Sequence, residues 1–140
     1  MNILILQGPN LNLLGLKSAP TKERLTLGKL NKKIKSSIKV EDVQVKFLQT
    51  HKNFQAINFL QRNRTKAEGL LLIPTSWARS NYTILETITL IKIKTAVIYF
   101  DQPYSFSTFK NKSILKGENI KSFTGQPVSS CLEGIKHLLK

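Results

Sequence analysis

Short apolar runs alternate with helix-forming patterns along the whole chain, and this alternation limits the fold more than any other feature. The runs are rich in β-branched and aliphatic residues and span residues 3–6, 43–48, 70–73, 96–100 and, more weakly, 120–123. Continuous apolar runs of this length are typical of strands that are buried on both faces, as in a parallel sheet. They predict parallel strands, with residues 3–6 at the centre of the sheet.

Apolar residues at helical spacing fill the segments between these runs. The sets are Leu27, Leu30 and Ile34; Phe54, Ile57 and Leu60; Ile84, Leu85, Ile88 and Ile91; and Val128, Cys131, Leu132, Ile135, Leu138 and Leu139. Strands that alternate with helices call for a parallel sheet with helices on both faces. The sequence therefore predicts an α/β fold, a flavodoxin-like three-layer sandwich with a five-stranded parallel sheet, as a single domain over residues 1–140.

The net charge is unusually positive for this length. Lys and Arg number 22 against 8 Asp and Glu, which gives +14 in 140 residues. Such a field favours an anionic partner, either a small molecule or a polyanion such as nucleic acid. The alternative is a solvated surface, because a helix would expose to water most of the lysines at Lys29, Lys32, Lys33, Lys35 and Lys39. No recognisable nucleic-acid-binding motif accompanies the charge.

The cysteine count and the hydropathy limit the cellular setting. Cys131 is the single cysteine, so no disulfide can form within the chain. This fits reducing conditions, and we expect a cytoplasmic location. No apolar stretch approaches the roughly 20 residues of a membrane-spanning helix, so we expect no membrane partner. The sequence also predicts neither a metal site nor a cofactor.

Polar segments follow the predicted strands at residues 7–24, 49–53, 74–81 and 101–112. In a sheet of this class, ligands bind at the carboxyl ends of the strands. We therefore expect the functional residues in these segments, although polar loops also follow strands that carry no function.

The first of these segments holds the most specific motif, Gly-Pro-Asn-Leu-Asn-Leu-Leu-Gly at residues 8–15. Glycine and proline favour a turn, and the two asparagine amides can bind backbone or a ligand. This octapeptide resembles the signature of the type II dehydroquinases. The resemblance extends along the chain through Leu25-Thr26-Leu27, Phe47-Leu48-Gln49, Pro74, Phe109, Ser113 and Gly125. It implies a flavodoxin-like fold and the trans dehydration of 3-dehydroquinate, with Asn10 helping to hold a water near the developing enolate. The alternative for the motif is that it mainly shapes the loop.

The resemblance also implies where the catalytic groups of the family would fall. In the family a loop tyrosine removes a proton beside a ketone, an arginine lowers the pKa of that tyrosine, and a histidine protonates the leaving hydroxyl. The arginine position falls on Lys17, the tyrosine position on Lys22 and the histidine position on Tyr99. Losing one general acid or base costs about 10²–10⁴-fold in rate, and here several are replaced together. The only histidines, His51 and His137, lie at neither histidine position of the family.

The family's substrate-binding positions depart in the same way. Its substrate-binding asparagine falls on Ile73, and the glutamate near its catalytic histidine falls on Val97. The two arginines that flank the family site fall on Phe106 and Lys110. By resemblance, the candidate substrate-binding residues are Asn10, Arg79, Asp101, Gln102, Lys110 and Glu86.

These substitutions leave three hypotheses for function. The first is a family member without catalysis that serves as a binding or structural subunit. The second is a working dehydroquinase with a rebuilt site, in which Lys22 acts as the base because neighbouring cations lower its pKa. The third is a nucleic-acid or polyanion binder. The resemblance implies self-association into trimers or dodecamers, with Glu86 reaching a neighbouring subunit.

The positions of the cations lead to one geometric expectation. We expect one cleft, open to phosphate or carboxylate ligands, to be lined by Asn10, Lys17, Lys22, Arg79 and Lys110. The alternative is that Trp77, Tyr99 and Phe100 fill that space with apolar bulk.

Overall fold

Five parallel strands form the middle layer of the protein. The computed structural model describes residues 1–39, 41–106 and 108–140. The strands are β1 (Asn2–Gln7), β2 (Gln44–Gln49), β3 (Gly69–Ile73), β4 (Lys94–Phe100) and β5 (Ile120–Gly125). They pair in parallel throughout, in the order β2-β1-β3-β4-β5. The predicted five-stranded, flavodoxin-like α/β fold is therefore confirmed.

Helices cover both faces of this sheet. They are α1 (Leu14–Lys17), α2 (Leu27–Ser37), α3 (Asn53–Asn63), α4 (Trp77–Ser80), α5 (Tyr82–Ile91) and α6 (Pro127–Leu138), with short 3-10 helices at Leu11–Leu13 and Lys110–Lys112. Helix α2 contacts α6, and α3 contacts α5. Thr26 caps α2, since its side chain accepts a hydrogen bond from the N–H of Lys29, and Asn81 caps α5 in the same way.

The two faces of the sheet contribute to two separate apolar cores. In β1, Ile3 and Ile5 pack under α2 and α6, whereas Leu4 and Leu6 pack under α3 and α5. Successive side chains of a strand point to opposite faces, so a strand that is apolar throughout fills both cores. Helix α6 approaches the sheet closely because Gly134 has no side chain: a Cβ there would lie 2.7 Å from Leu71 Cδ1.

Two details differ from the sequence expectations. The central strand is β3 and not β1: β2 and β1 lie on one side of β3, and β4 and β5 lie on the other. Phe54 belongs to the predicted apolar face of its helix but is 61% exposed, since the face of α3 that packs on the sheet runs through Ala56, Phe59 and Leu60.

Candidate functional site

The loop after β1 is held tightly against the end of β3. The Gly8 N–H donates to the carbonyl oxygen of Ile73 at 2.8 Å, and the hydroxyl of Thr75 donates to the carbonyl oxygen of Pro9 at 2.7 Å. A Cβ on Gly8 would lie 2.3 Å from the carbonyl oxygen of Pro74. Only glycine fits at this point, so the first residue of the octapeptide has a structural requirement of its own.

The rest of the octapeptide folds back into the core. Leu11 and Leu14 are fully buried, whereas Asn10 is exposed. Asn10 has a left-handed backbone with φ 69°, which asparagine adopts more readily than most residues. Its backbone N–H donates to Nδ1 of His51 at 3.2 Å, so this exposed histidine, which follows the carboxyl end of β2, holds the loop after β1 in place.

Side-chain hydrogen bonds anchor the segment that follows α1. The hydroxyl oxygen of Ser18, which is fully buried, accepts a hydrogen bond from the N–H of Leu25 at 2.8 Å. The hydroxyl of Tyr104 donates to the carbonyl oxygen of Glu23 at 2.9 Å. This second bond ties the segment to the loop that follows β4.

Tyr99, at the position of the family's histidine, lies inside the protein. It is 3% exposed, and its hydroxyl donates to the hydroxyl oxygen of Ser113 at 2.5 Å. The same oxygen of Ser113 accepts from the N–H of Leu115 at 3.0 Å. Burial raises the pKa of Tyr99, and this outweighs hydrogen bonds to Ser113 and Ser122 that lower it. The phenol therefore stays protonated near neutral pH and satisfied by its neighbours.

The carboxyl ends of β3 and β4 enclose very little space. A cavity of about 20 Å³ lies there, lined by Ile73, Thr75, Ile98, Tyr99, Phe100, Phe106 and Thr108. That volume holds about one water molecule, whereas sites for small organic ligands span about 300–1,000 Å³. Trp77 and Phe100 are also buried. Of the three aromatic residues named in the alternative expectation, Tyr99 and Phe100 line this cavity, together with Phe106, whereas Trp77 belongs to the core under α3 and α5 and does not line it.

The other candidate residues are exposed and dispersed over several elements. Lys17 ends α1, Lys22 follows it, Arg79 lies on α4 and Glu86 on α5, while Asp101, Gln102 and Lys110 belong to the loop after β4. Ser107 of that loop lies outside the described residues. Five cavities of note occur in the described structure, and of the sequence-derived candidates only Tyr99 lines one. The expected cationic cleft is not among these cavities, and the roles of the exposed candidates stay predictions.

Two negative observations apply to residues 1–39, 41–106 and 108–140. No helix there combines the length and the apolar character needed to cross a bilayer. No cluster of three or more His, Cys, Asp or Glu side chains is arranged to hold a metal ion in that part of the chain.

Larger cavities lie elsewhere, where sequence reasoning had not placed a site. One of about 610 Å³ lies between the first turns of α2 and α6 and includes Arg24, Lys29 and Lys33. Another, of about 640 Å³, lies beside β2 and α3. The only sequence signal for the first of these was the spacing of Lys29 and Lys33, one helical turn apart, which from the sequence alone was interpreted as a solvated face.

Comparisons with known proteins agree with the fold and the octapeptide. The family model described as "Dehydroquinase class II" matches residues 1–139. A 3-dehydroquinate dehydratase from Endomicrobium trichonymphae is 25% identical over 137 residues, which cover 98% of this chain and 96% of that protein. One from a Clostridium botulinum strain is 27% identical over 124 residues, 89% of this chain and 84% of that protein. The crystal structure of a type II dehydroquinase from Butyrivibrio crossotus superposes with a TM-score of 0.85 at 19% identity, covering 100% of this chain and 98% of that one.

Proposed function

The chain belongs to the class II dehydroquinase family, and on that premise we propose that it is a member without 3-dehydroquinate dehydratase activity that acts as a binding or structural subunit. The observation that carries this proposal is the filled space at the ends of β3 and β4. A cavity of about 20 Å³ has no room for a cyclic, polyhydroxylated substrate.

The side chains at the family's positions support the same conclusion. Ile73 and Val97 are buried and apolar, so neither can hydrogen-bond a substrate hydroxyl or orient a base. Tyr99 stays protonated, and its hydroxyl donates a hydrogen bond to the hydroxyl oxygen of Ser113. General acid–base catalysis needs groups that exchange protons near neutral pH within hydrogen-bond reach of the substrate. Tyr99 does not meet this requirement, and Lys22 is exposed and lies outside the lining of the small cavity.

The octapeptide at residues 8–15 can be explained without catalysis. Gly8 is needed for the close approach to Pro74, Leu11 and Leu14 fill the core, and Gly15 is buried with Thr26 Cγ2 at 3.1 Å from the position of a Cβ. These packing demands belong to the fold and apply whether or not the protein carries out the reaction.

The proposal is tested by mixing the purified protein with 3-dehydroquinate and following the ultraviolet absorbance of the conjugated product. We expect a rate at least about 10⁴-fold below that of an active class II dehydroquinase assayed in parallel, because several acid–base groups are replaced together. A rate within about 100-fold of that enzyme would contradict the proposal. The variant Lys22→Met would then show whether Lys22 serves as the base of a rebuilt site.

A further inference from the structure

A groove between α2 and α6 is large enough for a small organic ligand. Its volume is about 610 Å³, within the range of about 300–1,000 Å³ that is typical of small-molecule sites. The lining comes from the segment at Glu23–Leu25, the first two turns of α2, Tyr104, and the start of α6: Glu23, Arg24, Leu25, Lys29, Lys33, Tyr104, Gln126, Pro127, Val128, Ser129 and Leu132. The groove is separate from the small cavity at the ends of β3 and β4, with which it shares no lining residue.

Three cationic side chains, those of Arg24, Lys29 and Lys33, line this groove. Lys29 and Lys33 lie one turn apart and therefore on the same face of α2. Arg24 donates from Nε to the carbonyl oxygen of Gly15 at 3.1 Å, which restrains its guanidinium group, and its two terminal nitrogens make no hydrogen bond within the described residues. A planar guanidinium that is held in place matches the oxygens of a phosphate. Glu23 supplies the only carboxylate of the lining.

The first turn of α6 adds backbone donors to these side chains. Gln126 makes no side-chain capping bond, and the first turn contains no acidic residue. Proline occupies the start of the helix, so the N–H groups of Val128 and Ser129 are the free donors of that turn. Such donors, together with the helix dipole, favour a bound anion.

The remainder of the lining is apolar. Leu25 and Tyr104 are buried, and Val128 and Leu132 are half-buried. The bond from the Tyr104 hydroxyl to the Glu23 carbonyl holds the aromatic ring in place. These surfaces would contact carbon atoms of a ligand, whereas inorganic phosphate alone would leave them in water.

We propose that this groove binds a small organic phosphate monoester, with the phosphate between Arg24, Lys33 and the first turn of α6 and the apolar body against Leu25, Tyr104 and Leu132. This site is additional to the proposed loss of dehydratase activity and does not depend on it. Turnover of 3-dehydroquinate would overturn the earlier proposal and leave this one intact.

Phenyl phosphate and inorganic phosphate are the probes for this site, titrated into the ¹⁵N-labelled full chain at constant ionic strength and pH 7.5. We expect saturable binding of phenyl phosphate, at least about tenfold tighter than that of inorganic phosphate because only the former buries apolar surface. The largest amide shifts should fall on Val128, Ser129 and Lys29.

Three variants locate the phosphate. We expect Arg24→Gln to weaken the binding of phenyl phosphate by about tenfold and Lys33→Gln to weaken it by about threefold, since each substitution removes a charged donor. Lys32→Gln is the matched control, because Lys32 makes the same charge change on α2 and does not line the groove. Lys33→Gln keeps the test valid if the loss of the Arg24 bond to Gly15 disturbs the loop.

Several results would overturn the proposal. Equal weakening by Lys32→Gln and Lys33→Gln would show that binding follows net charge alone. Equal affinity for the two probes would show that the apolar lining does not contribute to binding, which contradicts the proposed site. Amide shifts centred away from the start of α6 would place the ligand elsewhere. Shifts that do not saturate would show that the groove has no specific site for it.

Discussion

Replacing Gly8 by alanine is expected to lower the free energy of unfolding by about 3 kcal/mol or more. The new Cβ would lie 2.3 Å from the carbonyl oxygen and 2.8 Å from the carbonyl carbon of Pro74, and both atoms are backbone. No change of side-chain rotamer relieves such a contact. The loop can move away only by stretching the hydrogen bond from the Gly8 N–H to the Ile73 carbonyl.

Gly28→Ala is the matched control for that measurement. Gly28 is exposed in the first turn of α2, and the nearest atom to an added Cβ is the hydroxyl oxygen of Thr26 at 3.9 Å. Alanine there should raise stability by up to about 1 kcal/mol through helix propensity. Urea unfolding followed by circular dichroism compares the two variants. If Gly8→Ala unfolds at the same urea concentration as the unmodified protein, the structural explanation of the octapeptide is wrong.

Replacing Tyr99 by alanine should have a comparable or larger effect, a loss of about 4 kcal/mol. The side chain is 3% exposed, belongs to the core under α3 and α5, and is bonded to Ser113. Its removal leaves a void that the strand ends cannot close without moving β4. Because the cavity beside it holds only about 20 Å³ in the unmodified protein, the void is a property of the variant alone.

Two further tyrosine variants separate volume from hydrogen bonding. Tyr82→Ala makes the same change at a side chain that is 65% exposed, and it should cost less than about 0.5 kcal/mol. Tyr99→Phe keeps the ring and removes only the hydroxyl, so its cost should be about 1 kcal/mol. Thermal or urea unfolding measures all three. Equal losses for Tyr99→Ala and Tyr82→Ala would mean that Tyr99 does not fill the strand-end space.

Most of the fold could be predicted because its determinants are local in the sequence. The apolar runs that became β1, β3 and β4 are buried on both faces, and no other element accommodates that pattern as well. The flavodoxin-like order of the strands was also predicted and is confirmed. Only the expectation that β1 is the central strand was wrong, since the sequence alone does not tell on which side of β1 the later strands are added. The exposure of Phe54 was missed for a related reason: spacing defines a helix face but does not tell where the sheet beneath it ends.

The site was only partly predictable. The resemblance placed Tyr99 correctly at the end of a strand, and the sequence showed that aromatic residues were available to fill the space. It did not show that Phe106 would join Tyr99 and Phe100 around a cavity of about 20 Å³, because that packing depends on the path of the loop after β4. The groove between α2 and α6 was missed because Lys33 and Ser129, distant in sequence, come together only when both helices pack on the same face of the sheet.

Equilibrium binding of 3-dehydroquinate tests most directly the claim that side chains fill the space at the carboxyl ends of β3 and β4. The ¹⁵N-labelled protein is titrated with 3-dehydroquinate, and the backbone amides at the carboxyl end of β4 (Lys94–Phe100) and of Thr108 are followed. We predict no saturable shift of these amides at millimolar substrate, even if the anionic substrate perturbs the groove between α2 and α6. Saturable shifts centred on Tyr99, Phe100 and Thr108 would contradict the account, because a site of about 20 Å³ would then have opened for the substrate.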